Sequence, residues 1–128
     1  MGHEEVRVPP QNVEAEKSVL GSMLISDEAI GVAVEILNEI WFYEPAHQTI
    51  YRAILDLYNM RKQVDLITLS DKLKNDGRLD EVGGVTYLSV LMDFVPTAAN
   101  IEHYAQIVKE KGVLRRLIKN ATQIITEL

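Results

Sequence analysis

The chain has 128 residues, a formal net charge of −6, 47% apolar residues and 25% charged residues. This balance is typical of one folded domain and excludes an intrinsically disordered chain. No apolar run approaches the roughly 18 residues that cross a bilayer, and the absence of cysteine excludes disulfides and thiolate metal sites.

The first twelve residues are predicted to form a flexible, then extended, N-terminal arm. Pro9 and Pro10 restrict the backbone before the first helix to extended conformations. Glu4 and Glu5 stand where a secretory signal would need apolar residues, so we expect no signal peptide and a cytoplasmic location.

Apolar residues at helical spacing, separated by capping and turn residues, predict an all-α fold of six helices. The first two cover 13–25 and about 28–38, the third begins at Glu44-Pro45, and the last three cover 69–74, about 85–93 and 101–128. The predicted N-caps are Asn12, Ser26 or Asp27, Thr68, and Thr97 or Asn100. Residues 64–68 are predicted to be a short extended connector, and Gly21-Ser22 offers a neighbouring element a close approach. The prediction is a compact helical head over 13–99, followed by a long helix over 100–128.

The last helix is the most informative segment. Residues 101–128 contain no proline and one glycine, and a continuous helix of that length would extend about 42 Å. A compact domain of this size has a radius of gyration of about 14 Å. Two rows of apolar residues follow the helical spacing, namely Ile107, Leu114, Ile118, Ala121, Ile125 and Leu128, and Leu114, Leu117, Ala121, Ile124 and Leu128.

Two interpretations of this wide apolar face are open: a final core helix, or a helix whose partner is not in the chain. The face is wider than the seam of a two-helix coil, so we favour the second interpretation. We therefore predict that residues 113–128 need a further helix. The pattern also runs to Leu128 without a residue that ends a helix, which indicates a fragment of a longer protein.

The sequence carries no motif of catalysis. It has no G-x-x-x-x-G-K-[ST] phosphate loop, and Gly83-Gly84 is followed by Val85 and Thr86 without a lysine. His47 lies one helical turn before Tyr51 and is interpreted as a packed or capping residue. We predict no catalytic residue, no metal ligand and no cofactor site in this chain, and an autonomous hydrolase would be excluded by a lack of phosphate release from ATP.

The charge distribution bears on nucleic-acid binding. Residues 1–99 hold 8 basic and 16 acidic side chains, whereas residues 100–128 hold 5 and 3. Because DNA affinity depends on basic groups that displace counterions, the acidic head is a poor DNA-binding surface. The alternative is a helix-turn-helix-like module over 69–93 or the mildly basic segment 109–119, although residues 85–92 contain no Arg, Lys, Asn or Gln to read bases. Steeply salt-dependent DNA binding would favour this alternative.

An ordered set of short motifs over most of residues 9–121 resembles the N-terminal part of the bacterial replicative hexameric DNA helicase of the DnaB type. The motifs are Pro9-Pro10-Gln11-Asn12-Val13-Glu14-Ala15-Glu16, Val19-Leu20-Gly21, Phe42-Tyr43 with Ala46-His47 and Ile50-Tyr51, Val64-Asp65 with Thr68-Leu69, Gly83-Gly84 with Tyr87-Leu88, Pro96-Thr97-Ala98-Ala99-Asn100-Ile101-Glu102, and Leu114-Arg115-Arg116-Leu117-Ile118. The Pro-Thr-Ala-Ala-Asn run is the most specific of them.

The resemblance implies a helical head followed by an antiparallel helical hairpin, of which residues 100–128 supply the first helix. In that family, hairpins pair between subunits in a trimer-of-dimers collar that receives the helicase-binding domain of the primase. The implied partners are therefore further copies of the chain, the primase and a helicase loader, with no membrane. ATP, magnesium and DNA would be bound by the C-terminal motor domain, which is absent from this chain.

The resemblance also implies site residues. Family positions tied to primase contact or its modulation correspond to Glu14, Tyr87, Arg115, Ile118 and Ile124. The apolar stripe itself adds Leu114, Leu117 and Ile125 to the predicted interface. Structural alternatives stay open, since Tyr87 and Ile118 are also compatible with a core, and Glu14 with a first-turn acid favoured by the helix dipole.

Overall fold

The computed structural model describes residues 8–128, which form six α-helices, one 3₁₀ turn and no strand. The elements are α1 (Val13–Ile25), α2 (Asp27–Ile36), the 3₁₀ turn (Glu39–Trp41), α3 (Pro45–Asn59), α4 (Leu66–Asn75), α5 (Gly84–Met92) and α6 (Ile101–Thr126). The all-α prediction is confirmed. Of the predicted N-terminal arm, residues 1–7 lie outside the described residues, and residues 8–12 have no regular secondary structure. None of the described helices is both long and apolar enough to cross a bilayer.

The starts of α1 and α2 follow the predicted capping. The Asn12 side chain accepts a hydrogen bond from the Ala15 N–H at 2.9 Å, and the Ser26 hydroxyl accepts one from the Ala29 N–H at 3.3 Å. These bonds satisfy N–H groups that have no partner inside the helix. The second helix ends at Ile36, two residues earlier than predicted.

The predicted start of α4 is wrong. Asp65 is the N-cap and accepts the Thr68 N–H at 2.9 Å, while the Thr68 hydroxyl accepts the Asp65 N–H at 2.9 Å. This reciprocal pair is a capping box, which places Thr68 in the first turn and starts the helix at Leu66. Residues 66–68 are therefore helical and are not part of an extended connector.

Helix α1 is the centre of the head, since α2, α3, α5 and α6 all pack against it. The closest approach is at Gly21, where a Cβ atom would lie 2.3 Å from the Leu91 carbonyl oxygen. The predicted close approach at Gly21-Ser22 is confirmed, and the approaching element is α5.

Helix α6 has two halves with different surroundings. Its first half buries Ile101, Ala105, Val108 and Gly112, which share one helix face, in a core formed with α1 and α2. At Gly112 a Cβ atom would lie 2.7 Å from Cε3 of Trp41 and 2.9 Å from its Cα. No residue after Gly112 is buried, so the second half projects beyond the described head.

Tyr51 makes a buried hydrogen bond, and its contribution to stability is expected to depend on pH. Its side chain is 1% exposed and donates to the Leu37 carbonyl oxygen at 3.1 Å. Burial, and then the charge of Glu39, raises the pKa of Tyr51 to about 12 from its usual 10.0. Because the folded-state pKa is the higher one, this stability is present below pH 10 and is lost as pH rises through 12.

We therefore expect the free energy of unfolding to fall by about 1 kcal/mol more in the unmodified chain than in Tyr51→Phe between roughly pH 9 and pH 11. Urea unfolding at both pH values checks this. Parallel losses of stability in the two proteins would contradict the role of Tyr51.

Candidate functional site

The second half of α6 presents large apolar side chains to solvent. The exposed fractions are 40% for Leu114, 58% for Leu117, 53% for Ile118, 62% for Ile124 and 67% for Ile125. Single exposed apolar residues are normal in folded proteins, whereas contiguous apolar patches mark interaction surfaces. Residues 8–128 do not cover this face, as the sequence pattern predicted, and we call these five residues the distal apolar face.

Arg115 lies at the base of the distal apolar face, and its guanidinium group contacts three other residues of the chain. Nη1 donates to the Pro10 carbonyl oxygen at 2.8 Å, and Nη2 donates to the Trp41 carbonyl oxygen at 2.8 Å. The guanidinium carbon also lies 5.4 Å from the centre of the Tyr43 ring, within the range of a cation–π interaction. Arg115 thus joins α6 to residues 8–12 and to the 3₁₀ turn.

A hollow of about 560 Å³ opens beside this contact. It is lined by Val8, Pro9, Pro10, Arg115, Ile118 and Lys119. Its apolar walls come from both the N-terminal residues and α6, so its shape depends on how the two are held together.

The other two predicted site residues lie on different elements. Glu14 is exposed in the first turn of α1, where an acid is favoured by the helix dipole. Tyr87, on α5, is half-buried, and its hydroxyl lies 2.6 Å from Nε2 of His47. Within residues 8–128, no hydrogen bond or ion pair joins Glu14 or Tyr87 to the distal apolar face.

Sequence reasoning missed a buried polar network behind Tyr87. The Glu16 carboxylate, 1% exposed, accepts the backbone N–H of Tyr43 at 2.6 Å and that of Glu44 at 3.3 Å, and lies 2.7 Å from Nδ1 of His47. An ionised carboxylate only accepts, so Nδ1 carries a proton, and in the neutral imidazole Nε2 accepts the Tyr87 O–H.

The network joins α1, α3 and α5. It satisfies every buried polar side-chain atom in its part of the described chain, and it agrees with the interpretation of His47 as a packed residue. Burial, followed by the charges of Glu44 and Glu16, raises the pKa of Tyr87. The one signal of this network in the sequence was Glu16, an acidic residue on the apolar face of α1.

The described residues thus form a helical head that carries a projecting helix with an exposed apolar face. The family model for the DnaB-like helicase N terminal domain matches residues 8–110. The chain belongs to this family, which confirms the resemblance read from its motifs.

Known relatives agree with the assignment. The chain is 50% identical over 118 residues to the replicative DNA helicase DnaC of Bacillus subtilis (strain 168), covering 92% of this chain and 26% of the relative. It therefore spans about a quarter of the length of the curated relatives that it matches. The crystal structure of the N-terminal domain of DnaB helicase from Mycobacterium tuberculosis superposes with a TM-score of 0.91 at 47% identity, covering 93% of this chain and 83% of that one.

A second solved structure is that of a DnaB-like replicative helicase, described together with its interactions with primase. It superposes with a TM-score of 0.78 at 31% identity, and the match covers 91% of this chain and 27% of that one. The projecting α6 therefore belongs to a fold that occurs at one end of much longer replicative helicases.

Proposed function

We propose that this domain is the assembly and primase-docking module of a hexameric replicative DNA helicase, and that it couples unwinding to primer synthesis during DNA replication. The parent protein would hydrolyse ATP with magnesium and move along DNA through a separate motor domain, in the cytoplasm. The domain itself would act by burying apolar surface against its partners and would catalyse no reaction.

The observation that carries the proposal is the distal apolar face. Each Leu or Ile side chain that passes from solvent to a buried site contributes about 2 kcal/mol, which a helix laid along the face would gain at several positions. The occupants that fit are the second helix of the hairpin and a hairpin of another subunit. The primase would dock on the same collar, and Ile118 and Ile124 are the positions that the family resemblance connects with it.

We expect Ile118→Asp and Ile124→Asp each to weaken self-association or capture of the primase's helicase-binding domain by about tenfold or more, because a buried unpaired carboxylate opposes association. The head should stay folded, since both side chains are more than half exposed. Sedimentation and binding titrations of the 128-residue chain measure the two effects, and circular dichroism reports the fold.

The matched control is Gln123→Glu, which adds the same charge at an exposed position on the opposite side of the same helix. It should bind like the unmodified chain. Unchanged affinity for both partners in both isoleucine variants would refute a role for this face in assembly and docking.

A further inference from the structure

The packing of α6 against the head ends at one place. Gly112 is the last buried residue of α6 and lies against the ring and Cα of Trp41. The first half of α6 is held along its length by Ile101, Ala105, Val108 and Gly112, whereas no buried residue holds the helix beyond Gly112, where it can bend or fray. A second attachment point beyond Gly112 would limit that bending.

Arg115 supplies the second attachment, three residues further along α6. Its Nη2 donates to the carbonyl oxygen of Trp41, so the same residue contacts the helix at Gly112 and again at Arg115. Its Nη1 donates to Pro10, and its face lies over Tyr43. Only a planar guanidinium combines two divergent donors with stacking, and a lysine ammonium cannot reproduce this geometry.

The guanidinium is therefore held in place by its own chain. Of the two roles that the family resemblance implies for this position, contact with the primase and modulation of its binding, this geometry favours the second. Two of its five N–H donors are used by the carbonyl oxygens of Pro10 and Trp41, each at 2.8 Å. A partner that bound Arg115 directly would have to use the remaining donors of a side chain that its own chain already holds in place.

We propose that Arg115 is a positioning residue, which fixes the direction of the distal half of α6 and holds residues 8–10 as one wall of the hollow beside Ile118. It acts on partner binding through the placement of the distal apolar face, without touching the partner. The binding part of this inference rests on the proposed function, whereas the positioning part stands on the geometry of the chain.

The test uses Arg115→Lys and Arg115→Ala, with Arg116→Ala as the matched control because Arg116 is exposed and adjacent. The chain has no cysteine, so spin labels at Lys74→Cys on the head and Thr122→Cys on α6 report one distance. Electron–electron double resonance should give one narrow distance distribution in the unmodified chain and in Arg116→Ala. Both Arg115 variants should give a broader distribution.

Affinity for the primase's helicase-binding domain is measured on the same proteins without labels. If only about a tenth of the molecules present α6 in the competent direction, the affinity of the Arg115 variants falls about tenfold, whereas Arg116→Ala should bind normally. Arg115→Lys keeps the positive charge, so a loss of affinity in this variant would come from the lost guanidinium geometry and not from a lost charge. It also provides the test if Arg115→Ala does not fold.

Two results would overturn the inference, and they differ from failure of the proposed function. A distance distribution in Arg115→Lys equal to that of the unmodified chain removes the positioning role, and weakened binding beside it would assign Arg115 to direct contact. A broadened distribution with normal primase affinity would remove the link to docking. If the unmodified chain itself does not bind the primase domain, the proposed docking fails, while the distance measurement still decides the positioning role.

Discussion

Gly21→Ala is expected to lower the free energy of unfolding by about 3 kcal/mol, since overpacking of a rigid contact has costs of this size. The added Cβ would lie 2.3 Å from the carbonyl oxygen of Leu91 and 3.4 Å from its carbonyl carbon. Both are backbone atoms, so no side-chain rotation relieves the overlap. Helices α1 and α5 would have to separate, which opens the core at Leu88 and Leu91, both fully buried.

Gly31→Ala is the matched control. Gly31 lies inside α2, and a Cβ there meets only the Tyr58 hydroxyl, at 3.4 Å, which is an ordinary contact. Replacing glycine by alanine in a helix interior stabilises by up to about 1 kcal/mol. The two substitutions should therefore shift the urea midpoint in opposite directions, and an unchanged or raised midpoint in Gly21→Ala would show that the contact between α1 and α5 is not rigid.

Local signals were enough to predict much of the fold. The Asn12 cap and the apolar spacing after it defined α1 to the residue. Helix α4 was placed too late because Asp65 and Thr68 are both good caps and three residues apart. The choice between them depends on which one also receives a reciprocal bond, and spacing alone does not decide it.

The distal apolar face was predictable because helical periodicity is a local property. The point at which α6 leaves the head was not, since it depends on Trp41, which reaches Gly112 and Arg115 from a distant part of the chain. The network of Glu16, His47 and Tyr87 was equally hidden, because its members are 31 and 40 residues apart in sequence. Polar residues carry no periodicity that would pair them over such separations.

That network gives the other large expected effect. Glu16→Ala should lower the free energy of unfolding by about 3 kcal/mol or more, because each buried donor left without an acceptor costs about 1–3 kcal/mol. The substitution leaves the N–H groups of Tyr43 and Glu44 and Nδ1 of His47 without their acceptor. Glu14→Ala is the control, because this acid lies two residues earlier on the same helix and is exposed, where substitutions change stability by about 0.5 kcal/mol at most.

Glu16→Gln should cost less than Glu16→Ala, because the amide oxygen still accepts a backbone N–H and the amide nitrogen can donate to His47. Nδ1 of His47 then becomes the acceptor, so the ring proton moves to Nε2 and is donated to the Tyr87 oxygen. Two-bond ¹H–¹⁵N spectra in mildly alkaline buffer distinguish the two tautomers. A ring proton that stays on Nδ1 in a folded Glu16→Gln protein would show that the charge of Glu16 does not set the direction of hydrogen bonding towards Tyr87.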